Sequence, residues 1–260
     1  MWTRKLLKEN GKIAFRRNYW LCVAVSAITF FLMGGSISIN ANSESALQTE
    51  SILSGKTSIH ELIAQIPREV YLVIVLGVLV GIVLGFCIVI LVSNVAQVGC
   101  NRYFLENREH KTSIGQVFYG FQSGRYMSTV WIMFLRGLYT FLWSLLFWIP
   151  GIIKSYSYLM VPYIIAENSS LDKNRIFEIS RKMMRGHKWE AFVLGLSFLG
   201  WQLLSVITGG VLSVFYVNPY VYATYAEFYS ALKAEALQKG IVTTQELPGV
   251  VIPEVEIPFV

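Results

Sequence analysis

Charge is scarce in this chain. Asp, Glu, Lys and Arg make up 15% of its 260 residues, where a soluble domain carries about 25%. Cysteine is rarer still. Cys22, Cys87 and Cys100 are an odd, scattered set in or beside apolar segments, without CxxC spacing. That argues against a disulfide framework or a cysteine zinc site and leaves small buried hydrophobes as the reading. His60, His110 and His187 fall in three separate loops and form no local metal-ligand set. GxxxxGK[ST], HExxH and GxSxG are all missing, as is a GxGxxG opening a helix after a strand. No catalytic, cofactor or metal residue is assigned, and the chain reads as non-enzymatic.

Apolar sequence is what the chain has in abundance, 54% of it and in long runs. Six blocks cover about 19–39, 70–98, 127–149, 150–166, 191–207 and 211–232. The expectation is an all-α membrane protein with six transmembrane helices. The first block follows basic residues, so a cleaved signal peptide competes with a retained anchor; its length favours the anchor. Around the 19–232 membrane domain lie a basic amphipathic segment over 1–18, a polar outer loop over 40–69 and a basic inner helix over 171–188. SIHELIAQI in the outer loop reads as a short amphipathic helical turn. Residues 233–260 read as a mobile cytoplasmic tail, with a strand-addition peptide as the other option for its spaced Val and Ile.

The fourth block, inside FWIPGIIKSYSYLMVPYIIAE, decides the topology. It holds two prolines and Lys154. If it crosses, eighteen Lys and Arg residues lie on one side and two, Lys56 and Arg68, on the other. If it dips and returns, the cluster over 173–188 changes side. The positive-inside rule favours crossing, with both termini in the cytoplasm and the plasma membrane as location. Seventeen helical residues reach about 26 Å, close to the hydrocarbon thickness. Ile149-Pro150-Gly151 then makes the outer turn, with Pro150 opening the new helix and Pro162 kinking it.

The formal net charge is +6, and the basic residues flank apolar blocks. Anionic lipid headgroups are therefore the expected partner, not nucleic acid. Candidate headgroup contacts are Lys154, Arg175, Arg181, Lys182, Arg185 and Lys188. SSLDKNRIFEISRKMMRGHKW reads as an amphipathic interfacial helix capped by Ser170 or Asp172 and stopped by Gly186, with Trp189 as an anchor. RKLLKENGKIAF over 4–15 resembles RKMMRGHKWEAF over 181–192; a trace of an internal repeat and chance similarity both remain open. Gly77, Gly81 and Gly85 form a small-residue stripe suited to a dimer face or to packing within the chain.

Arg136 lies near the middle of the third block. An arginine at the bilayer centre costs at least about 3 kcal/mol by insertion scales and calls for a partner. Glu167 is the candidate by depth, counted from the turn. With Glu227, Asn218 and a run of tyrosines it forms either a polar pathway or headgroup pocket, or an ion-paired lock between helices.

FLWSLLFWIPGIIKSYSYLMVPYIIAEN, SRKMMRGHKWEAFVLGLSFLGW and FYVNPYVYATYAEFY, in that order, resemble domain of unknown function 975. This is a family of bacterial multi-pass membrane proteins, mostly from Gram-positive species. The resemblance covers about 4–232 and implies an integral membrane protein without an established activity. The IPGII segment and the basic helix after it are also distantly similar to the membrane domain of some glycerophosphodiester phosphodiesterases. That similarity points toward lipid and assigns no catalytic residue. The leading functional expectation is a non-enzymatic scaffold or accessory protein that interacts with lipid, with another membrane protein or with itself. The alternative is a small transporter or permease with a polar pathway near Arg136, Glu167 and Glu227.

Overall fold

A computed structural model of the chain describes residues 2–33, 35, 67–110, 112–122, 124 and 126–249. Lys56, His60, SIHELIAQI and the rest of the outer loop up to 66 lie outside the described residues, as do the last eleven residues of the tail. The described residues form helices without strands.

The chain opens with α1 (Arg4–Arg17), whose first turn is capped when the Thr3 hydroxyl accepts from the Leu6 N–H. Next comes α2 (Tyr19–Leu32), which stops seven residues before the boundary read from the sequence. Where the described chain resumes at residue 67, α3 (Arg68–Ile88) leads through a π-helical stretch (Val89–Ser93) into α4 (Asn94–Glu106). A short helical turn (Ile114–Phe118) precedes α5 (Tyr126–Leu146).

Among the described residues, three helical runs are long and apolar enough to cross a membrane: Val70–Glu106, Tyr126–Leu146 and Lys188–Ile207. Six full-length spans do not follow. The reason is clearest in the fourth block, expected as one 17-residue helix over 150–166. It consists of α6 (Trp148–Ser157) and α7 (Val161–Glu167), separated by a turn. α6 alone extends about 15 Å, half of the roughly 30 Å hydrocarbon core. α7 is shut inside protein, with Val161, Pro162, Tyr163, Ile164, Ile165 and Ala166 all buried. Pro162 starts α7 and does not kink a longer helix, since a missing N–H is harmless in the first turn.

The hairpin itself is present, but its turn comes two residues early. Phe147, extended at φ −159°, ends α5, and Pro150 already sits in the first turn of α6. Gly151 lets the two helices close, because a Cβ there would lie 2.7 Å from the Ser144 Cα.

The basic helix expected over 171–188 is shorter, α8 (Lys173–Met183), capped when an Asp172 carboxylate oxygen accepts from the Asn174 N–H at 2.9 Å. Its apolar face, Ile176, Phe177, Ile179 and Met183, is buried in the bundle rather than laid on lipid. α1 likewise buries Leu7, Ala14 and Phe15 in the bundle core. The repeat suggested for 4–15 and 181–192 does not extend to local structure. The first segment is one continuous helix, whereas the second breaks where Gly186, in place of Glu9, adopts φ +92°.

α9 (Lys188–Leu196) and α10 (Leu199–Ile207) are joined by a short turn. A second π-helical stretch (Ser213–Val217) feeds α11 (Asn218–Gln238). α11 runs six residues beyond the expected end of the sixth block. Residues 233–249 are therefore not a mobile tail: Lys233, Ala236, Val242 and Leu247 are buried.

The molecule divides into two kinds of surface. α4, α7, α8, α11 and α1 enclose a packed core. In contrast, α3, the far end of the α5–α6 hairpin and α10 expose large apolar side chains, among them Leu76, Phe86, Leu145, Ile149, Val206 and Ile207. Gly77, Gly81 and Gly85 touch no other part of the described chain, so packing within it is not what that stripe provides.

Candidate functional site

Charged side chains gather where α4, α7 and α11 end. Glu167 is the last residue of α7, so a buried carboxylate stands at a helix C-terminus, where the dipole disfavours it. Three donors offset this. The Lys233 ammonium and the Gly249 N–H (2.7 Å) donate to Oε1, and the Tyr229 hydroxyl donates to Oε2 at 2.7 Å. The Lys233 and Glu167 side chains are 2% and 6% exposed. Burial pulls the Lys233 ammonium below the usual lysine range, against the opposing pull of the Glu167 carboxylate. Arg102 satisfies the same helix end from α4, donating to the Ala166 carbonyl at 3.1 Å and to Glu106 Oε1 at 2.7 Å.

Glu227 on α11 is closed as firmly. Arg108 grips both its oxygens, at 2.8 and 3.1 Å, the two-pronged geometry that makes Arg–carboxylate pairs strong. A cavity of about 120 Å³ remains among Arg102, Glu106, Arg108, Glu109, His110 and the Glu167–Lys233 pair. Its charges compensate one another, and the arrangement works as an electrostatic clamp across three helices.

The structure does not assemble the four-residue cluster expected from the sequence. Glu167 belongs to Lys233 and Glu227 to Arg108, so neither pairs with Arg136. Asn218 stands apart, at the start of α11, accepting from the Ser213 hydroxyl at 3.2 Å. The tyrosines of α11 mostly pack: Tyr222 stacks on Phe104, Tyr229 on Tyr163, and Tyr216 lies against Phe15 and Trp201.

Arg136 lines a separate cavity of about 780 Å³ between α5, α6 and the α3–α4 junction. Phe86, Ile90, Met133, Phe134 and Phe141 make its apolar wall, and Asn94, Thr140, Ser144 and Ser155 add polar groups. Among the described residues, no hydrogen bond or ion pair reaches the Arg136 guanidinium.

The basic residues expected at headgroups separate into two groups. Arg175 is committed within the protein. It donates to both oxygens of Glu246 at 2.7 and 3.1 Å, to the Ile241 carbonyl at 2.8 Å and to Glu178 at 3.0 Å. Lys182 pairs with Glu178 at 2.7 Å on the surface. Arg181 and Arg185 are exposed and Lys188 is half-buried. The Lys154 ammonium lies over the Trp143 ring, 4.5 Å from its centroid. His187, which the sequence left without a role, bridges Glu190 at 2.7 Å and Glu235 at 3.2 Å.

The Arg175–Glu246 fork ties residues 241–249 to α8. Arg175 holds the Glu246 carboxyl down at about 2. A depressed carboxyl contributes its stability above the unfolded value of about 4.3, and that contribution is lost as pH falls toward 2. Glu246→Gln removes the same contribution at neutral pH. Because the pair is partly solvated, about 1 kcal/mol is expected. Amide hydrogen exchange over 241–249 should then accelerate about fivefold, with α7 unaffected; unchanged exchange would show that apolar contacts alone hold the segment.

A family model described as "Protein of unknown function (DUF975)" matches residues 10–236. No curated protein and no solved structure matches the chain.

Proposed function

The chain belongs to the DUF975 family of proteins of unknown function, and we propose that it is a non-enzymatic scaffold or accessory protein of the plasma membrane, working through contacts with lipid and with another membrane protein or a second copy. The observation that carries this reading is the pairing of its buried charges. Glu167 with Lys233 and Glu227 with Arg108 are closed against each other, which suits a rigid platform. A transport pathway would need Arg136, Glu167 and Glu227 along one route, whereas Glu167 and Glu227 are closed by Lys233 and Arg108 and Arg136 lines a separate cavity.

In this reading the apolar segments enter the bilayer as three pairs: α2 with α3, α5 with α6, and α9–α10 with the start of the α11 run. Each pair returns to the side it left, so both termini share the cytoplasm with the packed, charged core. The fully exposed apolar faces of α3 support lipid contact. Six embedded segments need not each reach the far side, which accommodates the short α6.

The test is cysteine accessibility in intact cells. Cys87, the exposed native cysteine, is replaced by alanine, and Lys173→Cys is introduced on the exposed start of α8. A membrane-impermeant maleimide should label position 173 only after permeabilisation. Labelling of intact cells would put the basic core outside and overturn the topology.

A further inference from the structure

Arg136 stands about halfway along α5, some 15 Å from either end at 1.5 Å per residue. It opens into a cavity of about 780 Å³, within the span of about 300–1,000 Å³ usual for small-molecule sites. The walls are mostly apolar. The polar groups are ordered: Thr140 and Ser144 follow Arg136 at four-residue steps, so one face of α5 carries a polar stripe toward the Phe147 turn, and Ser155 adds to it from α6.

The hydroxyls have a defined polarity. Thr140 donates to the Arg136 carbonyl at 2.9 Å, Ser144 to the Thr140 carbonyl at 2.9 Å, and Ser155 to the Ile152 carbonyl at 2.7 Å. Their protons are engaged by backbone, so toward the cavity they offer acceptor lone pairs. Negative charge in the cavity has one strong donor, the guanidinium. Its planar fork suits a phosphate.

On the reading that α5 is embedded in lipid, we propose that this cavity is a binding site for one anionic phospholipid with a hydroxylated headgroup. Its phosphate pairs with Arg136, its headgroup hydroxyls donate to the Thr140–Ser144 stripe, and an acyl chain lies along Phe86, Ile90, Met133, Phe134 and Phe141. The apolar wall selects a lipid over free phosphate, and the Thr140–Ser144 stripe selects a hydroxylated headgroup over a choline, which has no proton to donate there and would set its quaternary ammonium one helical turn from the Arg136 guanidinium.

Native mass spectrometry of the full chain, released from micelles holding equal phosphatidylglycerol and phosphatidylcholine, tests this. Wild type should retain phosphatidylglycerol about tenfold over phosphatidylcholine, the scale of the headgroup hydroxyl bonds that choline cannot make. Arg136→Met should lower phosphatidylglycerol retention about tenfold, the scale of one charge-assisted contact, and Arg136→Lys should keep part of it. Gly137→Leu is the second variant. A Cβ at Gly137, which lines the cavity, meets nothing within 4 Å, so leucine fills the space while Arg136 stays, and retention should fall if the lipid sits there. If Arg136→Met does not fold, Gly137→Leu decides. Equal retention of both lipids by wild type, unchanged retention in folded Arg136→Met or in Gly137→Leu, or displacement of the bound species by inorganic phosphate would each overturn the site. Labelling of Lys173→Cys from outside would instead defeat the topology, independently of lipid retention.

Discussion

Lys233→Met should destabilise the folded bundle by about 3–5 kcal/mol, the usual effect of removing one member of a buried ion pair. The Lys233 side chain is 2% exposed and its partner Glu167 6%, so water cannot take the place of the lost ammonium. Glu167 would keep the Tyr229 hydroxyl and the Gly249 N–H, two neutral donors at a helix end that already repels negative charge. A drop of about 10 °C in melting temperature, followed by circular dichroism in detergent, is expected for a chain of this size. Lys233→Met combined with Glu167→Gln should recover a large part of the loss, because no uncompensated charge remains. A loss below about 1 kcal/mol in the single variant would mean that the pair behaves as a solvated surface pair.

Gly99→Ala should be nearly as damaging, at about 3 kcal/mol, the upper part of the range for overpacked cores. Gly99 lies in α4, where a Cβ would fall on the carbonyl group of Val117. Both parties are backbone in regular helical structure, so neither can rotate away. Gly77→Ala in the same continuous helical run is the control. A Cβ at Gly77 meets nothing within 4 Å, and the substitution should leave the melting temperature within about 2 °C of wild type. Equal tolerance of the two would show that α4 does not approach the 114–118 turn this closely.

Much of the fold could be read from hydrophobic runs and punctuation. The apolar blocks became helices, the Pro-Gly pair marked a hairpin within two residues, and Asp172, one of the two expected caps, opens α8, which stops at Met183 in the turn that leads to Gly186. The failures share a cause. Hydropathy along the sequence sorts segments into lipid-facing and cytoplasmic, whereas the packed core draws on both classes. α7 is apolar because protein surrounds it, and α1 and α8 are amphipathic because they cover that core.

The site shows the same limit. Depth alone suggests Arg136 as partner of Glu167, because Arg108 and Lys233 lie outside the apolar blocks. One signal was available. ALKAEALQ continues the helix-forming pattern of α11 and ends at Gly240, which takes the positive φ of a helix stop. Reading that extension would have placed Lys233 one turn beyond Tyr229 on a core helix. Nothing local predicts Arg108 on Glu227, since the two are 119 residues apart.

The partners of Glu167 also impose an order in time. Tyr229, Lys233 and Gly249 follow it by 62, 66 and 82 residues. On the ribosome, the α5–α6 hairpin and α7 are complete long before the ammonium that neutralises Glu167 has been translated. Until then α7 cannot take its final enclosed position without burying a lone carboxylate. Closure of the core therefore waits until Lys233 and Gly249 have been translated, and a nascent chain released before Lys233 holds apolar helices around a site it has no means to shut.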